Sequence, residues 1–138
     1  MNRLIAMRRI PVLGWFCHHL LGLWGIEIPS SVEIGSGSRV THHGFGVIVH
    51  PNTKIGRRVT LFPGVVIGRY DAVVTPASKS TFEAIEIGDD VIIYPGAKII
   101  GGPGITRIAA GSIIGPNAVL IGGAPEPGTW VGIPARRI

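Results

Sequence analysis

The chain has 138 residues, enough for one domain with a core but too few for two. Charged residues make up 15% of it and hydrophobic residues 46%, which excludes a disordered chain, while 21 Gly and 11 Pro indicate frequent turns between short strands. The formal net charge of +5 comes without a run of five or more basic residues, which argues against a nucleic-acid partner and suits a phosphate-bearing small molecule or an anionic surface.

The first 26 residues are basic and then apolar, and we expect them to form a helical cap on the domain of residues 27–138. The predicted helix follows Pro11 and would cover one end of that domain. His18 and His19 interrupt the apolar run, no A-x-A cleavage site follows, and the uninterrupted stretch is too short to span a bilayer. The alternative is an interfacial helix in peripheral contact with a membrane, with its basic and aromatic side chains at the lipid boundary: Arg3, Arg8, Arg9, Trp15, Phe16 and Trp24.

Cys17 is the single cysteine of the chain, so neither an internal disulfide nor a cluster of thiolate ligands can form. A reducing compartment fits this composition best. We therefore expect a cytoplasmic location, with the inner face of the membrane as a place where residues 1–26 would make contact.

Aliphatic residues recur at every sixth position after residue 26. The four runs are Ile28, Ile34 and Val40; Val49, Ile55, Leu61 and Ile67; Ile87, Ile93 and Ile99; and Ile108, Ile114 and Leu120. A helix would place apolar residues three and four apart, so this period excludes an amphipathic helix. It predicts an all-β chain that turns a corner every six residues, so that three short strands close a triangular coil and successive coils pair through parallel strands.

Three interruptions of the period mark candidate functional positions. The spacing rises from six to nine within THHGFGVI and again within IGGPGITR. Between Ile67 and Ile87 it is twenty, two more than a full coil, and we predict a loop at about residues 69–84 that leaves the prism at a corner. A perfect lattice would serve stability alone, so the departures indicate places where function has altered the repeat.

After residue 24 the chain resembles hexapeptide-repeat acyltransferases, specifically the serine acetyltransferases and their relatives that O-acetylate surface polysaccharides. The matching segments are IEIPSSVEIGSGSRVTHHGFGVIVHPNTKIGRRVTL, IGDDVIIYPGAKIIGG and VGIPARRI. The resemblance implies a left-handed parallel β-helix, acetyl-CoA as acyl donor, no metal, and a homotrimer with active sites in grooves between neighbouring prisms. It predicts an acetyl-CoA-dependent O-acetyltransferase.

The resemblance aligns His43 with the catalytic histidine of the family. A hydroxyl group is a poor nucleophile at neutral pH, and a histidine ionises in the range needed to take its proton and return it to the departing thiolate. His43 is therefore the predicted general base; the alternative is a corner histidine that hydrogen-bonds a neighbouring coil. His42 stands where serine acetyltransferases carry an aspartate, and we predict that His42 and His50 contact the substrate, with solvated or structural roles as alternatives.

The resemblance also implies where CoA would bind. In the family the pantetheine arm lies along a groove of the prism, and basic residues near the C terminus meet the phosphates. The corresponding positions here are Pro95, Gly96, Pro116, Arg136 and Arg137. A solvated chain end is the alternative for the two arginines, and Trp130 either packs on the adenine or is buried in the last coil.

Two residues depart from serine acetyltransferases in a way that bears on the acceptor. Those enzymes have an Arg-His pair just before the next coil, with the arginine available for the serine carboxylate, and this chain has Glu83 and Ala84 there. A glutamate would repel a carboxylate. The large helical N-terminal domain typical of serine acetyltransferases is also missing from this sequence. We therefore expect a sugar or saccharide precursor as acceptor, as in polysaccharide biosynthesis, with L-serine as the alternative.

Two other functions stay open at this point. A γ-type carbonic anhydrase shares this β-helix and binds zinc through three histidines, but His42, His43 and His50 lack that family's separated histidine and close pair, and no metal site is predicted. The other alternative is a non-catalytic β-helix scaffold.

Overall fold

The computed structural model describes Met7, residues 21–70 and residues 81–138, and this part of the chain forms fourteen short strands. Their bounds are β1 Glu33–Ile34, β2 Arg39–Val40, β3 Ile48–Val49, β4 Thr53–Ile55, β5 Thr60–Leu61, β6 Val66–Arg69, β7 Phe82–Ile87, β8 Ile92–Ile93, β9 Lys98–Gly101, β10 Gly104–Ile108, β11 Ile113–Ile114, β12 Val119–Ile121, β13 Thr129–Gly132 and β14 Ala135–Arg137. A 3-10 turn, His42–Gly44, lies between β2 and β3.

The strands form three sheets that wind around one axis. The first sheet is β1-β4-β7-β10, the second is β2-β5-β8-β11-β13-β14, and the third is β3-β6-β9-β12. All paired strands are parallel except the last two, β13 and β14, which form an antiparallel pair at the C-terminal end. Consecutive strands therefore lie on different faces of a triangular prism, which confirms the predicted parallel β-helix.

The core is the inside of this prism. Every residue of the predicted six-residue lattice is buried except Ile34, which is partly buried. A second inward row, two residues before the first, was not predicted; it contains Val32, Val47, Val59, Val65, Ile85, Val91, Ala97 and Ala118, and also the buried polar residues Thr53, Thr106 and Ser112. Full burial of one aliphatic side chain stabilises a fold by about 1.5–3 kcal/mol, so the repeated rows supply much of its stability.

The interruptions of the period lie at edges of the prism. β1 and β2 pair with strands 21 residues later, whereas β3 pairs with a strand 18 residues later. The three extra residues are therefore those of the His42–Gly44 turn. The second set of three lies between β9 and β10, beside an irregularity in register at Gly104 and Ile105.

The strands on both sides extend into the range predicted as a loop, residues 69–84. β6 continues to Arg69, and β7 already begins at Phe82 because its first residues pair with the start of β10. Ile67 and Ile87 also lie on consecutive faces of the prism. Their spacing of twenty residues must therefore be compared with a single six-residue corner step and not with a full coil, which corrects the count made from the sequence. Residues 71–80 lie outside the described residues.

The predicted N-terminal helix lies largely outside the described residues, as do Arg3, Arg8, Arg9, Cys17, His18 and His19. Leu21 and Gly22 are helical, and Leu21 and Ile26 are buried at the end of the prism. Glu27 then pairs with Ile48 in β3, which extends the third sheet by one bridge. Within the described ranges, no helix combines the length and apolar character that a membrane crossing requires.

Candidate active site

His43 lies in the three-residue turn at the edge between the second and third sheets. This edge is formed by residues 41–46, 62–64, 94–96 and 115–117, and we call it the His43 edge. Three consecutive residues have left-handed backbone conformation: His42 with φ 46°, His43 with φ 62° and Gly44 with φ 69°. Outside glycine this conformation costs about 1–2 kcal/mol per residue, so the two histidines are held at an energetic cost that the prism itself does not require.

Neighbouring groups hold this turn in place. The Gly44 N–H donates to the Thr41 carbonyl at 2.9 Å, and the Val47 N–H donates to the Gly44 carbonyl at 3.0 Å. Thr41 is itself tied to the next coil by its N–H, which donates to the Leu61 carbonyl at 2.9 Å. Gly44 is buried, and a Cβ there would overlap the side chain of Val40. The position of His43 therefore depends on a glycine at its C-terminal side.

The imidazole of His43 is exposed and accessible to a substrate. Its nearest ring is that of Phe45, with 6.2 Å between centroids and 50° between planes. Among the described residues, no side chain or backbone group hydrogen-bonds its ring nitrogens. A general base needs such an accessible nitrogen, within hydrogen-bond reach of the proton that it removes. The orientation of His43 comes from the backbone of the turn and not from a carboxylate partner in the described chain.

His42 contacts a column of aromatic rings and not His43. Its ring centroid lies 6.0 Å from that of Phe62 in the next coil, and Phe62 stacks on Tyr94 in the coil after that, at 5.2 Å and 4° between planes. Residues that follow the inward lattice positions point outward, which places these rings on the surface of the His43 edge. No sequence pattern indicated Phe45, Phe62 or Tyr94 as site residues.

Three of the predicted donor-binding residues share this edge with His43. Gly96 and Asn117 have left-handed backbone conformation, and their N–H groups donate to the carbonyls of Pro63 and Pro95 at 2.9 and 3.0 Å. These bonds stack Pro95 and Gly96, and then Pro116, along one line of the prism surface. Strands of neighbouring coils lie about 4.8 Å apart, so Pro116 is about 14 Å along the axis from His43. The edge is an extended surface with the histidine near one end.

His50 lies at a different edge, between the third and first sheets. Its Nδ1 accepts a hydrogen bond from the Asn52 N–H at 3.1 Å, and its ring meets Phe82 edge to face at 4.9 Å. The third face of the prism separates it from His43. The structure therefore does not bring His50 to the corner of His42 and His43, because β3 carries the chain across a face between them.

Glu83 and Ala84 lie at that same second edge, near His50. The Glu83 carbonyl accepts a hydrogen bond from the Asn52 side chain at 3.2 Å, and the Glu83 side chain is exposed. The carboxylate that the resemblance aligns with the arginine of serine acetyltransferases therefore faces solvent at the start of β7.

Arg136 and Arg137 lie in β14, at the C-terminal end of the second sheet, and both are exposed. The guanidinium of Arg137 forms an ion pair with Glu126. That of Arg136 donates to the Ala135 carbonyl at 3.3 Å. Trp130 is partly buried against the core, in keeping with burial in the last coil.

A groove of about 750 Å³ lies on the outer face of the first sheet, away from His43. Its charged residues alternate in sign along the register of the sheet: Glu33, Lys54, Glu86 and Arg107. Arg107 and Glu86 form an ion pair at 3.1 Å. Opposite charges on neighbouring strands stabilise the stacking of coils, which accounts for this pattern. No group of three or more His, Cys, Asp or Glu residues that could hold a metal ion occurs in the described part of the chain.

Comparisons with known proteins give a consistent result. No family model matches the chain. It is 34% identical over 135 residues to a serine acetyltransferase of Staphylococcus epidermidis, a match that covers 98% of this chain and 56% of that protein. It also matches the structure of soybean serine acetyltransferase complexed with serine, with a TM-score of 0.71 and 29% identity over 93% of this chain and 49% of that one.

A serine acetyltransferase in complex with CoA matches with a TM-score of 0.70 and 26% identity, over 92% of this chain and 48% of that one. The chain spans about half the length of the curated relatives it matches. The fold is therefore the left-handed parallel β-helix that the resemblance implied.

Proposed function

We propose that this chain, which belongs to the hexapeptide-repeat acyltransferase family, transfers an acetyl group from acetyl-CoA to a hydroxyl group. The observation that carries the proposal is the exposed His43 on a left-handed turn at one end of the His43 edge. The relatives named above are serine acetyltransferases, and they match nearly the whole of this chain. One of the matching structures is a complex with CoA.

His43 acts as the general base in this proposal. It takes the proton of the acceptor hydroxyl while the hydroxyl oxygen bonds to the acetyl carbon, and it returns that proton to the sulfur as the carbon–sulfur bond breaks. A thioester supplies an acyl carbon that is already activated, so no covalent intermediate on the protein is needed. The left-handed turn keeps the imidazole exposed, and it is held by local hydrogen bonds from the Gly44 and Val47 N–H groups and by the bond from the Thr41 N–H to the next coil.

The donor lies along the His43 edge. Pro95, Gly96 and Pro116 stand in line with the histidine, and Arg136 and Arg137 are exposed cations near the C-terminal end of the prism. A guanidinium group pairs well with a phosphate through two parallel hydrogen bonds. Arg137 already forms an ion pair with Glu126, so the guanidinium of Arg136 is better able to bind a phosphate group.

For the acceptor, the relatives support L-serine better than the sugar predicted from the sequence, since the soybean enzyme is named in complex with serine. A sugar hydroxyl is the second candidate, and one observation favours it. The exposed carboxylate of Glu83 and the imidazole of His42 occupy the positions that the resemblance aligns with an arginine and an aspartate of serine acetyltransferases. Those replacements remove the cation that would meet the carboxylate of serine.

The homotrimer belongs to the same proposal. Apolar side chains are exposed on the outer face of the third sheet, with Ile48 exposed by 41% and Ile121 by 60%. Exposed apolar surface of this kind is typical of an interaction face, and a thin prism gains buried area by association. Sedimentation equilibrium tests the association: a trimer mass that Ile121→Asp reduces supports it, and a monomer contradicts it.

Cytoplasmic location, a role in polysaccharide biosynthesis and membrane contact through residues 1–26 also stay predictions.

Thiol release from acetyl-CoA tests the activity. The purified full chain is mixed with acetyl-CoA and either L-serine, methyl glycosides or sugar nucleotides, and free CoA is measured over time. Thiol release that needs an acceptor, with mass spectrometry showing the added acetyl group, supports the proposal. If no acceptor raises thiol release and calorimetry detects no acetyl-CoA binding, the scaffold alternative replaces it.

A further inference from the structure

Three aromatic rings lie on the His43 edge although the fold does not need them. Phe62 and Tyr94 occupy the outward position directly after an inward lattice residue, and the next coil has Gly115 at that position. Thr41 stands at that position in the preceding coil, after Val40, so the prism closes there without an aromatic ring. Tyr94 is 36% exposed and Phe45 is 51% exposed. Exposed aromatic surface of this kind forgoes the gain from burial, and it marks ligand or partner sites.

Two of these rings lie beside the histidines of the turn. Phe45 lies 6.2 Å from the His43 ring on the same turn, and Phe62 lies 6.0 Å from the His42 ring in the next coil. Phe62 is also fixed from below by stacking on Tyr94. The Phe45 carbonyl accepts a hydrogen bond from the Gly64 N–H at 2.7 Å, so the backbone that carries the Phe45 ring is held to the next coil.

We infer that Phe45 and Phe62 form a platform for the acceptor, and that the acceptor is a sugar whose pyranose ring lies on these rings. The inference rests on the proposed acetyl transfer and deepens it by selecting the second acceptor candidate. A pyranose has one face of C–H groups, which packs against an aromatic ring, and hydroxyl groups around its rim. A ring stacked on Phe45 presents a rim hydroxyl to the imidazole of His43.

L-serine does not use such a surface. It has no ring to stack, and its recognition depends on its two charged groups, for which the described part of this edge offers no arginine or aspartate beside His43. The platform therefore separates the two acceptor candidates on a property of this chain, namely exposed aromatic area next to the base.

The experiment measures sugar binding separately from acetyl transfer. Ligand-observed saturation-transfer NMR is recorded on the full chain with CoA and with methyl glycosides of glucose, galactose and N-acetylglucosamine. Four proteins are compared: the wild type, Phe45→Ala, Phe45→Trp and Tyr70→Ala. Tyr70 is the matched control, because it is 49% exposed but follows β6 at the edge between the third and first sheets.

We expect at least one glycoside to receive saturation from the wild type, about tenfold weaker binding to Phe45→Ala, and retained binding to Phe45→Trp and Tyr70→Ala. Equal sugar binding by the wild type and Phe45→Ala would overturn the inference. So would the absence of sugar binding in a protein that acetylates L-serine, an outcome that leaves the proposed activity intact. Sedimentation is run alongside, and a change of oligomer mass in Phe45→Ala would also overturn it by assigning the rings to a subunit contact. Phe45-dependent sugar binding without any thiol release would retain the binding site and contradict the proposed activity.

Discussion

Arg58 and Asp90 face each other across successive coils through two parallel hydrogen bonds, Nε to Oδ1 at 2.6 Å and Nη2 to Oδ2 at 2.7 Å. Both residues have left-handed backbone conformation at the edge between the first and second sheets, with φ of 54° and 59°. The side-chain hydrogen bond from Arg58 lowers the pKa of Asp90 below its ordinary value of 3.8. The backbone N–H and side chain of Arg57 lower the pKa of Asp89 in the same way.

The lowered pKa of Asp90 predicts a loss of stability in acid. A carboxyl group with a lower pKa in the folded state stabilises the fold above its unfolded pKa of about 3.8, and this contribution is lost as the pH falls through the lower folded value. We therefore expect that, below about pH 4, the midpoint temperature of unfolding decreases more steeply with falling pH in the wild type than in Asp90→Asn. Circular dichroism melts between pH 2 and about 6 measure the two slopes.

Asp90→Asn is the suitable variant because asparagine tolerates the left-handed conformation nearly as well as aspartate. Glu27→Gln serves as its control, since that exposed carboxylate makes no ion pair within the described residues. Identical pH slopes for the wild type and Asp90→Asn would show that the pair with Arg58 does not contribute to stability.

Gly44 predicts a second effect, on stability and on the candidate site together. In Gly44→Ala the new Cβ meets Val40 and Ile26, at a residue with φ 69°. Gly111→Ala is the matched control, because Gly111 has φ 73° and open space around it. We expect about 1 kcal/mol of destabilisation for Gly111→Ala from the backbone alone, and a further 1–3 kcal/mol for Gly44→Ala from the overlap.

Denaturant unfolding compares the two variants with the wild type. The steric account of the turn fails if Gly44→Ala and Gly111→Ala lose the same stability. Acetyl transfer by Gly44→Ala should fall further than its folded fraction explains, because the overlap displaces His43.

The six-residue period predicted the fold because every coil needs an aliphatic residue at the same inward positions. Ile55, Leu61 and Ile67 each had to be aliphatic, so one inward row was visible in the sequence. The second row was not, because Thr53 and Ser112 place polar residues in it and hide its apolar character. The inward positions of this second row are filled by small polar side chains as well as by aliphatic ones.

The candidate site was only partly predictable, for reasons that concern individual residues. His43 was predicted as the base because the resemblance coincided with three extra residues in the repeat. The position of His50 was not, because two residues of β3 were enough to carry it across a face. Phe62 and Tyr94 were missed because the outward position after a lattice residue is unconstrained by the core, and Gly115 in the same column gives no pattern to read.

His43 predicts a loss of chemistry rather than of binding. His43→Asn keeps a residue that tolerates φ 62° and removes the base, so we expect kcat to fall by at least about 100-fold with little change in acetyl-CoA affinity. His42→Asn is its neighbour on the same turn, and we expect that change to raise the KM of the acceptor more than it lowers kcat. Steady-state kinetics on the acceptor found by thiol release provides both values. Full activity of His43→Asn would remove His43 from the proposed mechanism.

Arg136 predicts how the chain binds the phosphates of CoA. Its guanidinium is exposed and bonds a backbone carbonyl, whereas that of Arg137 is already paired with Glu126. We therefore expect Arg136→Gln to weaken CoA binding by about threefold to tenfold and Arg137→Gln to weaken it less, because an exposed charge pair contributes little and one already paired contributes still less. Calorimetry with CoA at low and high salt measures both, and the difference between Arg136→Gln and the wild type should shrink as salt screens the charge. Arg39→Gln, an exposed arginine on β2 at the opposite end of the second sheet, is the control. Equal affinities for Arg136→Gln and Arg39→Gln would place the phosphates away from β14.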